Sequence, residues 1–252
     1  MGKIVGIIPA RWGSTRFPGK SLHPIAGKAL VQRVWERCKL ARRLDRVIVA
    51  TDDLRIAEAA FGFGAEVAMT SDGHTTGTER VAQVAARLDR GVSHVINVQG
   101  DEPNISPKLI DRLAEALRRD RTLEMVTAAN QLTDPQEINN PNCVKVVLAK
   151  DGRALYFSRS VIPHPFGAAA DALGFLYHRH QGVYGYERRF LKKFVRWRPT
   201  GYEQAERLEQ LRALEHGTRI RVLVTEHLSL GVDTPEDVRK VEEQIESEYA
   251  GI

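Results

Sequence analysis

Apolar runs and helical spacings alternate through the first half of the chain. Ile4–Ile8 is a continuous apolar run, as a strand buried on both faces requires. In Ala29–Arg42 the apolar residues Leu30, Val34, Cys38 and Ala41 fall at helical spacing. Arg46–Ala50 predicts a second strand and Leu54–Gly62 a second helix, joined through Thr51–Asp53. A strand at Glu66–Met69, a helix at Thr78–Leu88, a strand at His94–Val98, a helix at Pro107–Arg118 and a strand at Glu124–Ala129 continue the series. Such alternation predicts an α/β fold, with a mixed, mostly parallel sheet flanked by helices. Crossovers are then right-handed, and ligands sit at the carboxyl ends of the strands.

Beyond about residue 130 the pattern becomes richer in strands. Asp151–Gly152 predicts a hairpin between Val144–Ala149 and Ala154–Phe157. Pro163–Ala172 is rich in Pro, Gly and Ala and reads as a mobile loop. Gly182–Tyr186 predicts a strand, Gln204–Leu214 an amphipathic helix and Arg219–Thr225 another strand. The basic cluster Arg188–Arg198, with Trp197, reads as a solvated face. The last helix spans Thr234–Tyr249, with Thr234 as its N-cap, Pro235 at its first position and two acids in its first turn. One domain over 1–252 is expected, with 126–221 as a small β-rich subdomain within it.

Composition narrows the class. The 252 residues suffice for a sizeable core, and no stretch approaches the roughly 20 apolar residues of a membrane span. The N-terminal residues lack the basic, apolar and small-residue segments of a secretory signal, so a cytoplasmic protein without membrane association is expected. Cys38 and Cys143 are expected to be ordinary thiols. The formal charge of +5 is spread along the chain and interleaved with acids, as in Arg112–Glu124. No aromatic residues alternate with the cations as a stacking platform requires, so a nucleic-acid partner is not expected.

Candidate chemistry lies at the predicted strand ends. The first strand opens into a loop holding Arg11, Arg16 and Lys20 together with Gly13 and Gly19, a composition suited to a polyphosphate. The loop is neither G-x-x-x-x-G-K-[ST] nor G-x-G-x-x-G. In V-I-N-V-Q-G-D-E-P, Asp101 falls just past a strand; in L-G-V-D-T-P-E-D, Asp233 falls just before the last helix. Two such carboxylates suit Mg²⁺, although each alone also suits a turn or cap. T-T-G-T-E-R, Thr75–Arg80, resembles a capping box, with Thr76 or Thr78 preceding the helix, a start where anions bind well. His178 and His180 lie on one strand face with no evident third metal ligand.

Seven motifs occur in order: P-A-R-x-x-S-T-R-x-P-G-K-x-L, V-A-T-D-D, G-T-E-R, N-V-Q-G-D-E-P, A-L-Y-F-S-R, L-E-Q-L-R and G-V-D-T-P-E-D. Together they closely resemble the 3-deoxy-manno-octulosonate (Kdo) cytidylyltransferases, from Ile4 to about Val241. The resemblance implies a nucleotide-diphospho-sugar transferase fold, related to the Rossmann type. It implies a Mg²⁺-dependent, commonly homodimeric enzyme that couples CTP to Kdo, releasing pyrophosphate, for lipopolysaccharide assembly. It assigns Ala10, Arg11, Ser14, Lys20, Thr76, Gly77, Arg80 and Gln99 to the nucleotide. Asp101 and Asp233 are assigned to Mg²⁺, and both join Arg11 and Lys20 as catalytic residues. Arg16, Arg159, His180, Tyr184, Glu209 and Gln210 are assigned to the sugar acid, and 126–221 to sugar binding and dimerisation. The chain departs from the family pattern at Gln181, over Pro163–Tyr177 and at Leu228–Leu230. The alternative acceptor is a related keto acid, such as an amino-substituted Kdo or a sialic acid-like sugar.

Overall fold

A computed structural model describes residues 2–13, 17–165 and 177–250, and divides them into two compact units, Met1–Glu115 with Ser229–Ile252, and Ala116–Leu228. In the first unit the expected alternation is present. Strand β1 (Lys3–Ala10) is followed by the short hairpin β2 (Pro24–Ile25) and β3 (Lys28–Ala29), and by helix α1 (Leu30–Lys39). Then come β4 (Arg46–Thr51), α2 (Leu54–Gly62), β5 (Glu66–Met69), α3 (Gly77–Arg87), β6 (Val92–Asn97) and α4 (Pro107–Arg119). The strands run parallel in the order β6-β1-β4-β5, with Ile7 beside Ile48 and Val5 beside Val95. Ile4, Val5, Ile7 and Ile8 are fully buried, which is why β1 reads as an unbroken apolar run rather than an alternating one.

The second unit mixes strand directions. It contains β7 (Met125–Gln131), α5 (Pro135–Asn139), β8 (Lys145–Leu148), β9 (Ala154–Ser158) and β10 (His178–Glu187). Helices α6 (Arg188–Phe194), α7 (Gly201–Glu206) and α8 (Gln210–Glu215) precede β11 (Ile220–Val224). Strand β7 pairs antiparallel with β10 and parallel with β11, and β8 pairs antiparallel with β9 and β10. The predicted hairpin is therefore present, with Gly152 at φ +79° in its turn.

Two expectations are corrected here. Gln204–Leu214 is two helices rather than one, because Arg207 adopts a left-handed conformation at φ 53° and ends α7. The basic cluster after residue 187 is an amphipathic helix rather than a solvated face. Phe190, Leu191 and Phe194 are buried, and Trp197 stacks on His216 with centroids 3.9 Å apart. Its lysines and arginines occupy the outer side of a 3.6-residue period that the charge run conceals. Most of Pro163–Ala172 lies outside the described residues.

The chain then returns to the first unit, where α9 (Pro235–Ala250) buries Val241 and Ile245 against Ile25, Leu30 and Val232. Each such aliphatic burial stabilises by roughly 1.5–3 kcal/mol. Glu242 also accepts a hydrogen bond from the Ala26 N–H at 2.6 Å. This packing fixes the start of α9. Both cysteines are free and buried, and burial pushes the Cys38 thiol well up. No helix among the described residues is long and apolar enough to cross a membrane.

Candidate active site

Five segments of the first unit meet at the carboxyl ends of its strands around a cleft of about 270 Å³. Ala10 and Arg11 come from the end of β1, and Lys20 from the one-turn 3-10 helix Lys20–Leu22. Thr76, Gly77 and Arg80 come from the start of α3, and Gln99 and Asp101 from the loop after β6. Asp233, from just before α9, completes the wall. All the sequence-predicted nucleotide and metal residues within the described segments thus line one cavity. Ser14 and Arg16 lie outside the described residues.

Local chemistry explains each placement. Thr76 caps α3 by accepting the Glu79 N–H at 3.2 Å, and Glu79 accepts the Thr76 N–H at 3.3 Å. Burial works against the charge of Glu79, but hydrogen bonds from Thr75 and Thr76 outweigh it and hold its pKa below the usual range. The start of α3 therefore opens into the cleft with its positive dipole end, a natural anion seat. Gly100 permits the closest approach in the wall. A Cβ there would stand 2.6 Å from the Pro9 carbonyl oxygen, so any side chain would force β1 and the β6 loop apart. Arg80 is almost wholly buried and is tied to Asp52 at 3.1 Å and to the Thr70 hydroxyl. Its guanidinium thus braces the loops after β4 and β5 as well as lining the cleft.

Asp101 and Asp233, far apart in sequence, converge on one cation. The Lys20 ammonium stands 2.8 Å from Asp101 Oδ2 and 3.4 Å from Asp233 Oδ1. The Val232 N–H donates to the Asp101 carbonyl at 2.8 Å, which brings the segment before α9 onto the β6 loop. Asp237 accepts from the Asp233 and Thr234 N–H groups at 3.0 and 2.9 Å. Burial opposes its ionisation, yet these bonds hold its carboxyl below the usual range. Asp237 is therefore occupied in shaping the turn that presents Asp233. The two convergent carboxylates, with an ammonium as stand-in at their meeting point, form an oxygen donor set that fits Mg²⁺. Phosphate oxygens and water would complete its shell. His74 and Ser21 also line the cleft. Sequence reasoning passed over both; His74 precedes a capping box that accounts for its neighbours without it.

Apart from Arg16, which lies outside the described residues, those assigned to a sugar acid lie in the second unit, around β9 and β10. His180 packs edge-on to Phe157 with centroids 5.0 Å apart and lies 5.4 Å from the Tyr184 ring. Its Nε2 is 3.0 Å from the Thr127 hydroxyl, and desolvation lowers its pKa to about 3. The imidazole is thus neutral near pH 7. Arg159 follows β9, and its guanidinium donates to the carbonyls of Glu206 at 2.8 Å and Pro141 at 3.0 Å. Helix α8, which begins at Gln210 and is preceded by Glu209, packs on β9. Gln210 is buried, and its amide nitrogen has no hydrogen-bond partner among the described residues.

Two supporting residues escaped sequence reasoning. Glu206 accepts from the Ser158 hydroxyl at 2.6 Å and from the Arg159 N–H at 2.9 Å. Lys145 is fully buried and donates to the carbonyls of Asn140, Cys143 and Arg159 at 3.0, 2.6 and 2.7 Å. A lysine in the strand K-V-V-L carries no local sign that its ammonium turns inward.

A parallel sheet whose strand ends gather a basic glycine-bearing loop, a helix N-terminus and paired carboxylates has the architecture of a nucleotidyltransferase. A family model described as "Cytidylyltransferase" matches residues 5–220. The chain belongs to that family and, within it, to the 3-deoxy-manno-octulosonate cytidylyltransferases. It is 49% identical to the 3-deoxy-manno-octulosonate cytidylyltransferase of Geobacter sulfurreducens over 96% of this chain and 99% of the relative. It is 51% identical to that of Syntrophobacter fumaroxidans over 95% of each. A solved structure of CMP:2-keto-3-deoxy-manno-octonic acid synthetase complexed with CTP superposes with a TM-score of 0.91 at 38% identity, covering 98% of this chain and 99% of that one. At 15% identity, a 4-diphosphocytidyl-2C-methyl-D-erythritol synthase from Anaerococcus prevotii shares the fold, with a TM-score of 0.67 over 97% and 99% of the two chains.

Proposed function

We propose that this protein transfers a cytidylyl group from CTP to Kdo, giving CMP-Kdo and pyrophosphate for lipopolysaccharide assembly. The observation that carries the reading is the convergence of the β1 loop, the start of α3, Asp101 and Asp233 on one cleft, in a chain with full-length Kdo cytidylyltransferase relatives. In the reaction the anomeric hydroxyl oxygen of Kdo forms a bond to the α-phosphorus. The bond from that phosphorus to the β-bridging oxygen breaks, pyrophosphate leaves with its electron pair, and the hydroxyl proton passes to solvent. Most of the rate then comes from alignment and from bearing charge.

In this reading Ala10, Gly77 and Gln99 shape the nucleoside end of the cleft, with Thr76 and Arg80 in its wall. Arg11 and Lys20 neutralise the phosphate chain. Charge-assisted hydrogen bonds of this kind strengthen as negative charge grows on the departing pyrophosphate. Asp101 and Asp233 hold Mg²⁺, which when bound supplies further charge stabilisation at the phosphates. Lys20, now paired with both carboxylates, would face the phosphates once Asp101 and Asp233 held the metal. Arg159, His180, Tyr184, Glu209 and Gln210 receive the sugar acid, where the neutral His180 serves as a hydrogen-bonding and packing group rather than a charge. A cytoplasmic homodimer is the working state, which equilibrium sedimentation of the purified protein tests.

The purified protein with CTP, Mg²⁺ and Kdo is expected to release pyrophosphate, while sialic acid and an amino-substituted Kdo in parallel are not. Release only with one of the other acids would keep the chemistry and move the acceptor. Folded protein that releases none with any acid would overturn the reading.

A further inference from the structure

The loop that carries Arg11 and Lys20 is held at its base by a stack that none of the assigned roles includes. Trp12 directly follows Arg11, and Gly19 directly precedes Lys20. These two neighbours meet across the loop. The Gly19 N–H donates to the Trp12 carbonyl at 3.2 Å. Gly19 sits at φ +70°, and a Cβ on it would stand 3.0 Å from the Trp12 indole, so the ring closes directly on the glycine backbone. The Arg55 guanidinium lies over the Trp12 ring, 3.4 Å from its centroid.

Arg55 is itself tethered. Its Nε and an Nη donate to the Asp53 carboxylate at 2.9 and 2.6 Å, a two-pronged contact. Asp53 also accepts the Arg55 N–H at 2.9 Å and so caps α2 directly after β4. The hydrogen bonds from Arg55 hold the Asp53 carboxyl below its usual range. The chain of contacts therefore runs from the end of β4, through Asp53 and Arg55, onto the indole between the loop's two ends. A plane of guanidinium over a plane of indole restrains tilt as well as distance, which a point charge does not.

We propose that Trp12, Arg55 and Asp53 form a latch that pre-sets the spacing of Arg11 and Lys20 for the triphosphate. They are positioning residues, and none of them lines the cleft. Pre-organisation of this kind lowers the ordering cost of nucleotide binding and leaves the acceptor step alone. The inference rests on the CTP-dependent activity proposed above.

The test combines direct CTP binding by calorimetry with steady-state kinetics of Arg55→Ala, Arg55→Lys, Trp12→Ala and Trp12→Phe. Arg55→Ala is expected to weaken CTP, in both Kd and KM, by roughly twofold to fivefold, the range an exposed cation–π contact supplies. The KM for Kdo and the melting temperature are expected to stay at wild-type values. Arg55→Lys should not restore CTP affinity, Trp12→Phe should retain most of it, and Trp12→Ala with Arg55→Ala should lose no more than the single changes. An unchanged CTP affinity in Arg55→Ala, or an equal rise in both KM values, would overturn the latch. Wild-type protein that binds no CTP would overturn the proposed function itself, and the latch with it.

Discussion

The two units use buried polarity in opposite ways. In the first, the parallel strands are covered on both faces, and their middles are apolar: Ile4–Ile8 and Val47–Ala50 contain no polar side chain. Polar residues appear where strands stop, at Thr51, Asn97, Asp101 and the start of α3. In the second, polar residues occupy strand bodies. Thr127, Asn130 and Gln181 are buried within β7 and β10, Lys145 is buried at the start of β8, and Gln181 donates to Asn130 at 2.8 Å. A strand buried on both faces has no partner to offer a mid-strand polar group, so such groups are displaced to the ends, where ligands and water satisfy them. The second unit solves the same problem internally, mostly against backbone carbonyls: Thr127 donates to Val183, Gln181 to His227 and Lys145 to Arg159. The lesson is a division of roles. Removing a polar group from the first unit's strand ends should cost activity, and removing one from the second unit's interior should cost stability.

The largest effect tests the first half of that division. Asp101→Asn or Asp233→Asn is expected to lower kcat/KM for pyrophosphate release by about two orders of magnitude or more, as loss of a charge-stabilising group does. Its urea unfolding free energy should move by less than about 1 kcal/mol, because the ion pair with Lys20 is partly exposed. A large stability loss in either variant would break the comparison.

Arg212→Ala tests the other half. Its guanidinium is nearly buried and bonds both oxygens of Glu203, at 2.7 and 2.5 Å. Removing one partner strands the other, at a cost of about 3–5 kcal/mol in chemical denaturation. A loss below about 1 kcal/mol would mean that this interior pair is not structural.

A pH titration of unfolding gives a smaller signal from His180. The folded pKa of about 3 lies below the ordinary 6.5, so between those values the unfolded chain binds a proton that the folded chain does not. Stability is therefore full above pH 6.5 and falls as pH drops toward 3. At pH 4.5 the expected loss is about 1–2 kcal/mol, reduced from the ideal because the residue is only partly buried. His180→Gln should remove that part of the slope. An identical slope in the variant would place the histidine in a solvated setting.

The smallest effect concerns a cap in the second unit. Glu187 accepts the Phe190 N–H at 2.7 Å at the start of α6. Glu187→Ala should cost about 1 kcal/mol in unfolding experiments and leave turnover intact. A drop in turnover without loss of stability would make Glu187 functional rather than structural.

Much of the first unit was legible because local pattern and tertiary role agree there. Leu54–Gly62 and Glu66–Met69 have the bounds their periodicity predicts. Of the two threonines that the capping box offered, Thr76 is the cap, three residues before Glu79. Local signals misled where tertiary demands overrode them. Arg207 breaks a pattern that reads as one helix, and the cations of α6 hide an aromatic face packed inward.

The amino-acid sequence alone determined the strand–helix alternation of the first unit from β4 to α4, the apolar strand middles and the loops at which chemistry gathers. Each depends on neighbours a few residues apart, and those neighbours are visible in the chain. Only the tertiary structure decided that Asp101 and Asp233 share one ammonium, that Lys145 turns its charge onto three carbonyls, and that Arg55 lies over Trp12. Those facts depend on where α9, β8 and α2 pack. Packing is set by burial summed over many distant residues, and no local spacing records it.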